Sequence, residues 1–297
     1  MAAVIETEGL TKQWGDLVAV NHLDLAVEQG ECYAFLGRNG SGKSTTARML
    51  LDFIRPTAGT SRLLGGVGSD PAVRARVGYL PGDLNLPRTM TGDDAFDFFG
   101  GLSGVNHDPD RETLIERFGL DPSRPVRELS TGNRRKVGLV LAFMGAPELL
   151  ILDEPTSGLD PVLQEEFREL LAERKAAGAT IWLTSHVMAE VERVADRVGL
   201  IRDGLMAREL SMQELRDQAV SEIHLTFADP VDASAFAGVD HVSDVHIADG
   251  VLIVTTDGPV ADLLSRAGEL GAVRIETRRQ DLDEIFLGLF DAKGAPA

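Results

Sequence analysis

Gly37, Gly42, Lys43 and Ser44 stand at the spacing Gly-x-x-x-x-Gly-Lys-Ser. That spacing suits one kind of chemistry, the holding of phosphate. Glycines let the backbone turn without a Cβ, so the successive N–H groups of Gly37, Arg38, Asn39, Gly40, Ser41 and Gly42 can point at phosphate oxygens. A helix opening after the loop brings its positive end, with Ser44 and Thr45 in its first turn, to the same anion. Lys43 adds a point charge at the β- and γ-phosphates, and the Ser44 hydroxyl is a ligand for Mg²⁺. At ordinary composition such a match arises by chance in about 1% of chains of this length. Here it also lies between a predicted strand, Glu31 to Leu36, and a predicted helix, Lys43 to Phe53, the context the motif requires.

Three more groups complete a phosphoryl-transfer set. The apolar run Leu149-Leu150-Ile151-Leu152 ends in Asp153 and Glu154. An Asp at that strand end can hold Mg²⁺ at the carboxyl edge of a sheet. The Glu beside it can polarise the water that attacks the γ-phosphate. His186 follows another buried strand, Thr180 to Thr184, and is expected to contact the γ-phosphate from the same edge. Taken alone, a pair of acids or a single His would read as solvated or structural. The loop upstream changes that reading.

The elements that must position these groups alternate strand and helix, which implies a mostly parallel sheet in an α/β fold. Besides those named, Val77 to Leu80 reads as a strand closed by Pro81-Gly82. Asp93 to Phe99 reads as a helix with Phe96 and Phe99 on one face, and Asn133 to Met144 as another. Pro161 to Ala177 reads as a long helix closed by Gly178. From Ser221 onward the chain carries 14 acidic and 5 basic residues, half of its net charge of −18. That stretch reads as strand (Glu222 to Phe227), hairpin (Val242 to Val254, turning at Asp249-Gly250), helix (Val260 to Leu270), strand (Ala272 to Thr277) and short helix (Leu282 to Phe290). Two domains are expected, residues 1–218 and a small α+β extension at 219–297.

Such acidity argues against nucleic acid as a partner. The single cysteine, Cys32, excludes an internal disulfide and a cysteine metal cluster. The start of the chain lacks a basic region followed by an apolar one. The apolar stretch from Leu139 to Leu152 is broken by Pro147 and Glu148 and is too short to span a bilayer. Work at a membrane therefore requires spanning helices from another chain.

Leu129-Ser130-Thr131-Gly132-Asn133, with a basic helix at Arg134, Arg135 and Lys136, resembles the Leu-Ser-Gly-Gly-Gln signature of the ATP-binding cassette (ABC) family. Asp153 to Asp160 resembles that family's strand-end acids running into its D-loop, and Ser185-His186 its switch histidine. Thr11 to Gly15 resembles the segment whose aromatic, here Trp14, stacks on adenine. The likeness covers roughly residues 4 to 210. It implies a P-loop ABC cassette with an N-terminal antiparallel β part and a helical signature subdomain, acting on ATP with Mg²⁺. It also implies a head-to-tail homodimer in which Ser130 and the Gly132 N–H of one copy meet the γ-phosphate held by the other, with Asp160 in the nucleotide-facing D-loop. A permease on a separate chain, and a cytoplasmic place at the inner face of the membrane, follow from the same likeness.

The chain departs from the family pattern at Thr131 and Asn133, and at Gly82, where many members carry a glutamine that senses Mg²⁺ and the attacking water. Asp83, Asn85 or the backbone alone remain to carry that role. Leu-Pro-Gly-Asp and the closing Leu282-Asp283-Glu284-Ile285-Phe286-Leu287 resemble subunits of drug and antibiotic exporters. The segment from Leu84 to Gly104 holds Phe96, Phe98 and Phe99, three of the chain's 12 phenylalanines, and is expected to receive a helix of the membrane partner. An importer subunit has the same chemistry, and a soluble ABC ATPase is a third reading. Export is favoured by the single cassette and the short mixed tail.

Overall fold

The computed structural model describes residues 3–103, 108–217, 221–248, 250–256 and 258–279. It divides into two compact units, Met1–Ser211 and Met212–Ala297. The expected boundary near residue 218 falls at 218–220, outside the described residues, as does the expected closing helix from Leu282.

In the first unit, β1 (Ala3–Trp14), β2 (Leu17–Glu28) and β4 (Ala58–Leu63) form an antiparallel sheet in the order β2-β1-β4. The main sheet orders β5 (Val77–Leu80), β6 (Leu149–Asp153), β7 (Thr180–Ser185), β3 (Cys32–Leu36), β8 (Arg197–Arg202) and β9 (Leu205–Ser211). It is parallel from β5 to β8, and only β9 runs antiparallel. Every residue of β3, β6 and β7 is buried. This is why these strands read as continuous apolar runs rather than as alternation. Their side chains, Tyr33, Phe35, Leu149, Ile151 and Trp182 among them, join one core with Ile5, Leu10, Val20 and Leu23 of the antiparallel sheet.

Local signals fix the helices. α1 (Lys43–Leu50) opens on Gly42 and ends three residues before the expected Phe53. There the chain turns at Asp52, whose φ is 54°. α5 (Thr131–Phe143) starts two residues earlier than expected, because the Ser130 hydroxyl caps it by accepting from the Asn133 N–H at 3.2 Å. α6 (Pro161–Ala176) has Pro161 in its first turn and Asp160 as its cap, accepting from Val162 and Leu163 at 3.0 Å each. α3 (Gly92–Ser103) and α4 (Asp108–Arg117) pack on α5 to make the helical part. α3 separates two phenylalanines that the sequence puts on one face. Phe96 is buried, whereas Phe98, Phe99 and Leu102 are exposed.

The second unit pairs β11 (Val242–Ala248), β12 (Val251–Thr256), β10 (Ser221–Phe227) and β13 (Ala272–Arg279) antiparallel, in that order. Ile223, Leu225, Leu252 and Val254 on one face pack with Phe236 and with Leu263 and Ala267 of α9 (Ala261–Glu269).

Cys32 is 1% exposed at the start of β3, and burial pushes its thiol up to about 12. The thiolate is the reactive form, so the native protein should resist an aromatic disulfide reagent at pH 8 and release one thiol equivalent on denaturation. Prompt native labelling would contradict this packing.

Candidate active site

The parallel register brings three strand ends level. Asp153 pairs with Thr184, and Leu36 with Ser185. The Gly37 N–H extends the ladder by donating to the Ser185 carbonyl at 3.3 Å. The loop after β3, the acid after β6 and the histidine after β7 therefore leave the sheet side by side at its carboxyl edge, where α/β sheets bind ligands.

The loop is built around absent side chains. A Cβ on Gly37 would sit 2.4 Å from Ser41 Oγ and 2.6 Å from the Ile201 carbonyl oxygen. Gly42 has φ +111°, and a Cβ there would lie 2.5 Å from the Ala19 carbonyl oxygen. Arg38, Asn39 and Gly40 are exposed, Ser44 and Thr45 are half-buried, and Ser41 is buried with its Oγ lacking a hydrogen-bond partner. Lys43, 5% exposed, donates to the Gly37 carbonyl at 2.6 Å, and its Nζ lies 3.1 Å from Glu154 Oε1.

Glu154 is the centre of the arrangement. Its Oε2 is 2.8 Å from His186 Nδ1, so Lys43, Glu154 and His186 form one contact chain. Its backbone has φ 48°, in the left-handed region. A β-carbon-bearing residue there costs of order 1–3 kcal/mol and persists only where its surroundings hold it. Two contacts do so. The Glu154 N–H donates to Thr184 Oγ1 at 3.0 Å, and the Glu154 carbonyl accepts from the Arg135 guanidinium. Thr184 Oγ1 in turn donates to Asp153 Oδ1 at 2.6 Å. One hydroxyl thus orients both acids.

Other expected site residues lie elsewhere. None of the hydrogen bonds of Trp14, Ser130 or Asp160 among the described residues reaches residues 37–45. Trp14 ends β1, 47% exposed, with Lys12 Nζ 5.2 Å above its ring. Ser130 and Asp160 are helix caps, and a Cβ on Gly132 would be 3.5 Å from the Gly158 carbonyl oxygen. The signature therefore borders the D-loop of its own chain. At Gly82 a Cβ would lie 3.1 Å from Asp153 Oδ2, so this residue sits against the strand-end acid without a side chain to offer it.

Sequence reasoning missed Thr184, Arg135 and Glu190. Glu190 Oε2 accepts from Thr156 Oγ1 at 2.7 Å and Ser185 Oγ at 3.2 Å, linking the D-loop to the histidine segment. Arg135 had a signal in the helical period. It precedes Leu139 by four residues and Ala142 by seven, and all three are buried. Burial pulls its guanidinium below the usual arginine range, and Asp153, Glu154 and Asp83 oppose that pull.

The model of the ABC transporter family matches residues 20–157. The bacitracin transport ATP-binding protein BcrA of Enterococcus faecalis is 32% identical, over 99% of this chain and 98% of its own length. The Nod factor export ATP-binding protein I of Cupriavidus pinatubonensis is 33% identical, over 97% of this chain and 91% of its own. A solved ATP-binding subunit of an ABC transporter superposes with a TM-score of 0.68 at 27% identity, covering 72% of this chain and 92% of that one.

Thr184→Val keeps the side-chain shape and removes the hydroxyl. It leaves the Glu154 N–H and Asp153 Oδ1 without that partner, at a cost of about 1–3 kcal/mol. The expected result is a lower thermal midpoint and at least a tenfold fall in ATP turnover. Wild-type turnover in this variant would remove Thr184 from the site.

Proposed function

The chain belongs to the ABC transporter family as an ATP-binding, ATP-hydrolysing cassette, and on that premise we propose that it energises export of a drug-like or hydrophobic compound through a permease on a separate chain. The contact chain Lys43–Glu154–His186 carries the chemistry. Likeness to exporter subunits along nearly the whole chain supports the direction of transport.

In this reading the loop from Gly37 to Thr45 cradles the ATP phosphates, and Lys43 exchanges the Gly37 carbonyl for phosphate oxygens. Glu154 is the general base. Its left-handed backbone aims the carboxylate, and His186 fixes one oxygen so that the other can take the proton of the attacking water. His186 also contacts the γ-phosphate. Trp14 stacks on adenine.

The donor set fits Mg²⁺. Ser44 and Asp153 would hold it, and Asp153 keeps Oδ2 apart from its bond to Thr184. Among the described residues no group of three or more His, Cys, Asp or Glu could cage a metal. That suits an ion that takes its remaining ligands from phosphate and water. Held there, Mg²⁺ would supply positive charge against the negative charge of the phosphates.

Two copies close head to tail around ATP. Ser130, the Gly132 N–H and the Asp160 segment of one copy complete the site of the other, which accounts for the placement of Ser130 and Gly132 at the start of α5. Among the described residues no helix is long and apolar enough to cross a membrane. Phe98, Phe99 and Leu102, 54%, 41% and 70% exposed on α3, offer an apolar seat for a helix of the permease. This chain then sits at the cytoplasmic face of the membrane.

Glu154→Gln should bind ATP, elute as a dimer in ATP during size exclusion, and lose turnover by roughly 10²-fold or more. Lys43→Ala should lose nucleotide affinity itself. Full turnover in the first variant, or unchanged affinity in the second, contradicts the roles of these two residues.

A further inference from the structure

Arg135 sits five residues after Ser130 on α5, 5% exposed. A guanidinium carries five N–H donors in a rigid fork. In this site those donors face five main-chain carbonyls on two segments. Nε donates to Pro155 at 3.2 Å. Nη1 donates to Pro81 at 2.7 Å and Gly82 at 3.2 Å. Nη2 donates to Asp153 at 2.8 Å and also to Glu154.

One side chain therefore ties three things together. It holds the segment from Asp153 to Pro155, including the carbonyl that keeps Glu154 left-handed. It holds Pro81-Gly82, the segment pressed against Asp153 Oδ2. It also belongs to the helix whose first turn Ser130 caps. Carbonyls on two different loops cannot move apart, or away from α5, without breaking bonds to a buried cation. An unpaired charge there is costly, so the three parts are constrained to move as one.

We infer that Arg135 is a positioning residue that couples the floor of its own nucleotide site to the helix presenting Ser130 to the second copy. It does so through main-chain carbonyls, at a place where Gly82 supplies no side chain. The inference rests on the roles proposed above for Glu154 and Ser130.

The test uses the full chain with Arg135→Lys, and Arg135→Gln beside it. Lysine keeps the charge but has three donors and no fork. At least one of the two variants should fold cooperatively and keep its affinity for a fluorescent ATP analogue within about twofold. In that variant kcat should fall tenfold or more at little-changed KM. Combined with Glu154→Gln, it should no longer elute as a dimer at the ATP concentration that pairs Glu154→Gln alone. Wild-type kcat with normal ATP-driven pairing in the folded variants overturns the inference. So does loss of fold or of nucleotide affinity in both, since that marks Arg135 as a structural cation only. Full turnover in Glu154→Gln itself overturns the underlying reading of the site, and this inference with it.

Discussion

The alignment of three buried parallel strands is the constraint from which the site follows. With Asp153 opposite Thr184 and Leu36 opposite Ser185, the ends of β6, β7 and β3 are level to within a residue. A slip of one residue in any of them would turn its side chains to the other face of the sheet. Trp182 and Phe35, whose rings meet tilted with centroids 5.5 Å apart, would then face away from each other. Packing on both faces thus fixes the register, and the register places a phosphate loop, a carboxylate and a histidine side by side.

Electrostatics at that edge follows a second rule, that a charge taken out of water must be matched. Lys43 and Arg135 are each about 5% exposed. Lys43 is met by the Gly37 carbonyl and by Glu154, and Arg135 by five carbonyls. The two cations differ in what holds them. Lys43 has partners that phosphate can replace, which suits a ligand-binding group. Among the described residues the hydrogen bonds of Arg135 go to backbone carbonyls, which suits a group that keeps other parts in place. Between them lies Glu154, whose strained backbone is stabilised by Thr184 on one side and Arg135 on the other. The strain is concentrated on the residue that the proposed mechanism makes the base.

Much of the fold was legible in the chain. The runs at Cys32–Leu36, Leu149–Asp153 and Thr180–Ser185 are strands, and those expected helices that fall among the described residues lie within a few residues of their expected bounds. Ends were misplaced where a cap or a turn decided them. The hydroxyl of Ser130 moved the start of α5 forward to Thr131, and the turn at Asp52 shortened α1. Spacing was less informative about the burial of Phe96 and Phe99. Spacing of three residues placed them on one face, but α3 rolls so that Phe96 enters the core while Phe99 stays 41% exposed. Spacing gives the angle between two side chains. It does not say where the neighbouring helix lies.

The sequence by itself determined what is local. The glycines, lysine and serine of residues 37–44 carry their function in backbone freedom and spacing along the chain. The caps at Ser130 and Asp160 likewise need only the few residues that follow them. Tertiary structure alone decided which distant groups meet. Thr184 lies 30 residues from the Glu154 it orients, and Arg135 lies 54 from Pro81. Nothing in Arg134-Arg135-Lys136 marks which cation turns inward beyond a faint helical period. That choice depends on where other segments bring their carbonyls, and so on contacts that exist only once the sheet and α5 have packed.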